Sequence, residues 1–256
     1  MQARDYADLS AIENSHWWFA RMREITAALL DPLCAPGCDR LIIDAGCGTG
    51  ANLTWLGRYA GGGRVIGVDL VSRALDFCRE RGHRQLVQAS VMDLPLADQG
   101  VDLLTSFDVL GQLPGARAGE QAAREMRRVL RPGGLAFVRV AAYGWMRSDH
   151  DEALGTYRRY SIGDLADTIE RAGLRVVRAT YAASLPLPVA MVRRLVLQRV
   201  GLAAPGSDVK PLPPALRWLN RVLAGALAAE ARLLRRPGTR LPAGLSAVCV
   251  AETPLR

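Results

Sequence analysis

Apolar positions along this chain change their period repeatedly. Leu41-Ile42-Ile43 is a short continuous apolar run, partly β-branched, the pattern of a strand covered on both faces. It predicts a strand over Arg40–Ala45, and similar runs predict strands at Arg64–Asp69, Gln85–Ala89, Val101–Ser106 and Gly134–Val140. Between them the spacing turns helical, over Ser10–Leu30, Ala51–Tyr59, Ser72–Arg81 and Ala118–Leu130. Asp31-Pro32 should end the first helix, and Arg131-Pro132-Gly133-Gly134 stops the last with paired breakers. Strands alternating with helices of this length imply an α/β fold, a doubly wound parallel sheet with helices on both faces.

The pattern then loosens. A polar and aromatic stretch, Trp145 to Tyr160, suits a binding loop. Ser161 reads as an N-cap for a helix to Ala172 that Gly173 ends, and Leu174–Tyr181 reads as a strand. Leu185-Pro186-Leu187-Pro188 leads into a helix with Val189, Val192, Leu195, Val196 and Val200 on one side and Arg193, Arg194 and Arg199 on the other. A Pro- and Gly-rich loop, Ala203 to Pro214, separates it from a second helix carrying Leu216, Leu219, Leu223, Leu227, Glu230 and Leu234. Ser246–Glu252 is the final expected strand, which brings the sheet to seven, mostly parallel. One domain is expected: an N-terminal helical lid (1–33), the core sheet (34–182), a helical insertion (183–244) and the last strand (245–256). The helix pair between 189 and 236 has three readings: a cap on the same core, a homodimer interface, or a basic amphipathic patch for a membrane surface.

Composition narrows the classes. Half of the 256 residues are hydrophobic and mean hydropathy is +0.07, as in a soluble globular protein. No signal-peptide pattern and no bilayer-length apolar run is seen, so a cytoplasmic protein is expected, with contact at the inner face of the membrane left open. The formal net charge is +8, yet Lys210 is the only lysine and the arginines are scattered, so no nucleic-acid partner is expected. The five cysteines are odd in number and complete no metal-ligand spacing; they read as free thiols, and no metal is expected.

The candidate chemistry starts at Asp44-Ala45-Gly46-Cys47-Gly48-Thr49-Gly50. Glycines at alternating positions after a strand let the backbone turn sharply and approach a ligand closely. Asp69, ending the second strand, is spaced to accept hydrogen bonds from two ribose hydroxyls. This is a nucleoside-cofactor signal. Gly46-x-Gly48-x-x-Ala51 also satisfies the relaxed dinucleotide fingerprint, so spacing alone leaves NAD open. An NAD oxidoreductase would need a catalytic tyrosine–lysine pair or a second nucleotide half, and Lys210 lies in a Pro-rich loop far from the sheet motifs.

The glycine turn, followed by Val65-Ile66-Gly67-Val68-Asp69, resembles the first two motifs of class I S-adenosylmethionine-dependent methyltransferases. Asp93-Leu94-Pro95-Leu96, Val101-Asp102-Leu103-Leu104, Ser106-Phe107-Asp108-Val109-Leu110 and Leu130-Arg131-Pro132-Gly133-Gly134 resemble the later motifs in the same order. His16-Trp17-Trp18-Phe19-x-x-Arg21, His150-Asp151-Glu152 and Arg158-Arg159-Tyr160 resemble a bacterial subgroup with members in glycan, lipid and secondary-metabolite pathways. The resemblance implies S-adenosylmethionine as cofactor and S-adenosylhomocysteine as product. Asp44, Gly46, Cys47, Gly48 and Gly50 would hold the methionine end and Asp69 the ribose. Leu70 would pack on the adenine, Ser90, Val91 and Met92 would face its ring and amino group, and Ser106 and Phe107 would lie near the sulfonium. Many relatives carry aspartate where Ser90 stands and histidine near Gln112, so the adenine contact and any base at that position differ here.

Methyl transfer asks the protein to align an acceptor opposite the departing sulfur and to exclude water. A small-molecule or glycan- or lipid-linked acceptor is expected, methylated at oxygen by in-line displacement. The alternatives are a non-methylating enzyme that uses the same cofactor, a degenerate scaffold, or the NAD enzyme. Of the three histidines, His150, flanked by Asp149 and Asp151, is the candidate general base. His16, Trp17, Trp18 and Arg21 are candidate acceptor contacts on the lid, and Tyr157, Arg158, Arg159 and Tyr160 a candidate clamp for an anionic group.

Overall fold

The structure is a computed structural model that describes residues 3–14, 16–148, 151, 155–193 and 217–255. Seven strands form one sheet: β1 (Leu41–Ala45), β2 (Arg64–Asp69), β3 (Leu86–Gln88), β4 (Val101–Phe107), β5 (Leu130–Ala141), β6 (Arg175–Ala182) and β7 (Ser246–Glu252). Their order is β3-β2-β1-β4-β5-β7-β6. The first five are parallel; β7 runs antiparallel to both β5 and β6. The strand order reverses beside β1, so a crevice opens at the carboxyl ends of β1 and β4.

Successive strand residues face opposite layers. Ile42, Leu103 and Phe137 meet α2 (Trp17–Leu30), α3 (Ala51–Leu56) and α8 (Arg217–Leu234) through Met22, Ile25, Leu29, Leu56, Leu227 and Leu234. Ile43, Leu104 and Val138 meet α5 (Ala118–Val129) and α6 (Ile162–Arg171) through Ala122, Met126, Leu165 and Ile169. Both layers are needed to bury an Ile42-Ile43 pair, and each such side chain contributes about 1.5–3 kcal/mol when fully buried. The α/β doubly wound fold expected from the pattern is the fold observed.

Three local expectations change. The helix over Ser10–Leu30 is broken into α1 (Ala3–Ile12) and α2, because His16 leaves helical geometry and its Nδ1 accepts from Trp18 N (3.3 Å), capping α2. The break lets Tyr6 of α1 pack on Ala74 and Phe77 of α4 (Ser72–Glu80) while α2 lies on the sheet. The breakers at Arg131–Gly134 do end α5, but they sit inside β5. The register jumps from Val101–Leu130 to Leu103–Leu135, so the extra residues form a bulge. Of the first inserted helix, α7 (Leu187–Met191) is described, whereas Arg194, Leu195, Val196, Arg199, Val200, Lys210 and Leu216 lie outside the described residues.

The second inserted helix, α8, packs along α2 and buries Leu227, Ala231 and Leu234. Its Glu230 is 4 % exposed and accepts from the backbone N–H of Ala183 (2.6 Å) and Ser184 (2.8 Å). Ala183 carries a φ of 59°, a left-handed turn that this carboxylate holds at the end of β6. No helix among the described residues is long and apolar enough to cross a membrane.

Glu230→Ala leaves the buried Ala183 N–H and the half-buried Ser184 N–H without a partner, at about 1–3 kcal/mol for a buried donor. A loss of about 2–5 kcal/mol is expected in urea unfolding; an unchanged midpoint and slope would contradict the fastening role.

Candidate active site

After Ala45 the chain turns through residues 46–50 into α3. Gly46 has φ 85°, and a Cβ there would collide with Val109. Its N–H and that of Cys47 both donate to Val68 O (2.7 and 2.9 Å), tying the turn to β2. Gly48 has φ 53°, and no heavy atom lies within 4 Å of where its Cβ would stand. That open cradle borders Asp69, whose Oδ2 accepts from Gly48 N and whose Oδ1 accepts from Val71 N, both at 2.9 Å. Each oxygen keeps a lone pair for a further donor. Burial raises the pKa of Asp69, and these backbone N–H groups oppose the rise.

Asp44, at the carboxyl end of β1, is 1 % exposed and accepts from the Thr105 hydroxyl on β4 (2.7 Å). Burial pushes its pKa up to about 7; the Thr105 bond pulls it down, the Asp69 charge adds to the rise, and Arg139 opposes it. The next residue on β4, Ser106, is fully buried with a hydroxyl that has no partner. Phe107 ends the strand under the Arg139 guanidinium (5.1 Å), which also donates to Asp108 Oδ2 from Nη2 (2.6 Å) and Nε (3.1 Å). Leu70 is 65 % exposed beside Asp69, Val91 is buried, and Ser90 Oγ accepts from Met92 N (3.2 Å). Cys47 Sγ lies 3.9 Å from Cys78 Sγ, and this contact and burial push the Cys47 thiol up, so it stays protonated.

The N-terminal segment reaches the glycine turn. Glu13, 6 % exposed, accepts from the Thr49 hydroxyl in the glycine turn and from Arg81 Nη2 (2.5 Å). Arg81 Nη2 also donates to Ser10 O and Oγ, each at 3.1 Å. His16 stacks on Trp17 (5.5 Å), and Trp17 Nε1 donates to Asn220 Oδ1 on α8 (2.9 Å). Trp18 meets Trp17 edge-on and packs into the cluster that includes Phe107. Burial lowers the His16 pKa. Arg21 pairs with Glu24 on the outside of α2 (2.5 Å).

The clamp expected from residues 157–160 does not converge on the crevice. Arg159 is buried and donates to Asp151 Oδ1 (2.7 Å) and Ala142 O (2.9 Å), so its cation is spent inside the fold. Tyr160 is a core side chain, and Arg158 lies over its ring (4.6 Å). Tyr157 is exposed; the backbone N–H groups of Tyr157 and Arg158 both donate to Gly111 O, which supports the turn after β4. His150, Asp149 and Glu152 lie outside the described residues. Sequence reasoning missed Glu13, Thr105 and Arg139. Only Arg139 had a visible signal, a lone charge within the apolar run Phe137-Val138-Arg139-Val140.

A turn open to a ligand, a strand-end carboxylate with free lone pairs and an orphaned buried hydroxyl form a donor and acceptor set that fits a nucleoside with a charged amino-acid tail. Residues 43–138 match the family model described as a methyltransferase domain. The chain is 29 % identical over 171 residues, 66 % of its length and 63 % of the relative's, to a probable S-adenosylmethionine-dependent methyltransferase of Mycolicibacterium smegmatis. It is 35 % identical over 130 residues, 50 % of its length and 43 % of the relative's, to another so described from Mycobacterium tuberculosis. The chain thus spans less than two thirds of the length of these curated relatives. Among solved structures, it is similar to the methyltransferase in a complex with the Trm112 activator from Haloferax volcanii, at TM-score 0.60, 19 % identity and coverage of 98 % and 95 %. A geranyl diphosphate methyltransferase in complex with SAM gives TM-score 0.57 at 15 % identity, over 92 % and 87 % of the two chains. These structural likenesses carry the fold. With the ordered motifs, the match over residues 43–138 identifies that part of the chain as a methyltransferase domain of the S-adenosylmethionine-dependent kind.

Proposed function

We propose that this chain binds S-adenosylmethionine at the glycine turn and transfers its methyl group to an oxygen of a small-molecule or glycan- or lipid-linked acceptor. The observation that carries the reading is the open cradle at Gly48 beside the Asp69 carboxylate. The cofactor supplies a methyl group already activated on a sulfonium. The chain's part is to bind, align and keep dry. Asp69 accepts from the ribose hydroxyls with the lone pairs its backbone donors leave free. Leu70, Val91 and Met92 give apolar surface to the adenine, with Ser90 at its polar edge. Asp44 and the Gly46, Cys47, Gly48 and Gly50 backbone receive the charged tail, and Ser106 and Phe107 border the reacting end. Good alignment of an acceptor supplies roughly 7–11 kcal/mol of a barrier. His16, Trp17 and Trp18 cover the acceptor side, where half-buried indole rings exclude water. His150, which lies outside the described residues, is the proposed general base for a hydroxyl acceptor.

Calorimetry with S-adenosylhomocysteine tests the site. Micromolar binding is expected for the native chain, and Asp69→Ala should weaken it at least tenfold; no binding at high micromolar concentration refutes the reading. Turnover with an acceptor should add one methylene unit to its mass.

Asp44 generates a second test. Its folded pKa, about 7, lies above that of a free carboxyl, so the fold favours the protonated form. That contribution to stability is complete below the free-carboxyl value near 4 and is lost as pH rises through about 7. A cationic ligand tail favours the ionised form, so ligand affinity should rise about tenfold from pH 6 to pH 8. Asp44→Asn should flatten that profile and should be more stable than the native chain at pH 8. A native affinity independent of pH would show that Asp44 does not face the charged tail.

A further inference from the structure

Along α3, beside the glycine turn, lies a cavity of about 460 Å³, widely open to solvent, that the crevice chemistry does not use. Asn14, Arg23, Ala51, Thr54, Trp55 and Arg81 line it. Two arginines from distant parts of the chain therefore line one space, with an asparagine, a threonine and a tryptophan around them.

The charges there do not cancel. Glu13 is the carboxylate close to both arginines, and its Oε1 already serves Thr49 and Arg81. His83 sits behind Thr54 (3.3 Å), and burial together with Arg81 lowers its pKa, which keeps the imidazole neutral near pH 7. Two cations against one carboxylate leave one positive charge over. The Arg23 side chain forms no hydrogen bond or ion pair with any described residue. The Nε of Arg81 is buried and unpaired. A half-buried guanidinium costs free energy to hold without an anion, and a forked donor pair suits phosphate oxygens.

We propose that this cavity binds a phosphate-type dianion, held between Arg23 and Arg81 with Asn14 and Thr54 as neutral donors. The volume exceeds that of inorganic phosphate and falls within the range of small-molecule pockets, and Trp55 gives one wall an aromatic face. A phosphate monoester with a compact organic body fits this arrangement. Arg81 and Glu13 also fasten the lid to Thr49, so an occupied cavity braces the lid that covers the cofactor crevice. That coupling rests on the proposed cofactor site; the anion site itself does not.

Titration calorimetry at constant ionic strength, set with sodium chloride, tests the site on the whole chain. Inorganic phosphate is expected to bind with one-to-one saturation at millimolar or lower concentration. Phenyl phosphate should bind more tightly if the pocket takes the end of an organic phosphate, and no better than phosphate if free phosphate is the ligand. Arg23→Gln should weaken both at least tenfold with unchanged thermal stability in sodium chloride. Arg124→Gln, on α5 across the sheet, should leave them unchanged. In the native chain, saturating phosphate should tighten S-adenosylhomocysteine binding severalfold, and Arg23→Gln should abolish that gain. Equal phosphate binding by native and Arg23→Gln protein, or no saturable binding by either, overturns the proposal. Phosphate binding without any S-adenosylhomocysteine binding would sustain the anion site while refuting the cofactor reading.

Discussion

The Asp69 carboxylate holds two segments at once, the glycine turn through Gly48 N and the entry to α4 through Val71 N. Without those two bonds a carboxylate this buried would be too costly to ionise, and the turn would keep only the Gly46 and Cys47 bonds to Val68 as its hold on β2. The same exchange recurs through the molecule. Glu230 collects two N–H groups where β6 ends, Asp44 takes the Thr105 hydroxyl, and Asp151 takes Arg159. Glu13 does it between the N-terminal segment and the turn. Buried carboxylates thus serve as fasteners between elements that apolar contact alone would leave free to slide.

Much of this was legible in the sequence, for reasons that can be named. Runs such as Leu41-Ile42-Ile43 have to be strands covered on both faces, and the sheet that follows from them places Asp44, Gly46, Gly48 and Asp69 at one end. Those residues are close in sequence to the strands that carry them, so local pattern suffices. What failed depended on distant partners. Arg158, Arg159 and Tyr160 look like a surface clamp by type, but Asp151 and the Ala142 carbonyl draw Arg159 inward, and Tyr160 joins the core. Glu13 looks like one more polar residue of a helix; only the fold brings it to Thr49. The helix break at His16 was hidden because a histidine cap carries a weaker signal than serine or aspartate.

The N-terminal helices and the insertion are one structural problem. Trp17 and Trp18 cannot both face the sheet from one helix, and the structure resolves this by giving Trp17 a partner on α8 and leaving Trp18 to the cluster around Phe107. The position of the Trp17 indole therefore depends on a residue some two hundred positions away. Glu230 fixes α8 on β6, α8 fixes Trp17, and α2 carries Arg23 to the edge of the cavity beside α3.

That dependence has a consequence for how the molecule comes into being on the ribosome. β7 lies between β5 and β6, so those two strands, made earlier, have no shared ladder until Ser246–Glu252 has emerged. The Trp17–Asn220 bond likewise spans 203 positions. Pairings of such separation form late and slowly, because a long loop must close before they are rewarded. A nascent chain can form β1 to β4 and the glycine turn early, yet its indoles and the edge of β5 stay bare until synthesis has passed the inserted helices. The order of translation thus leaves an interval in which the growing chain carries an unpaired strand edge, the kind of surface through which nascent chains associate.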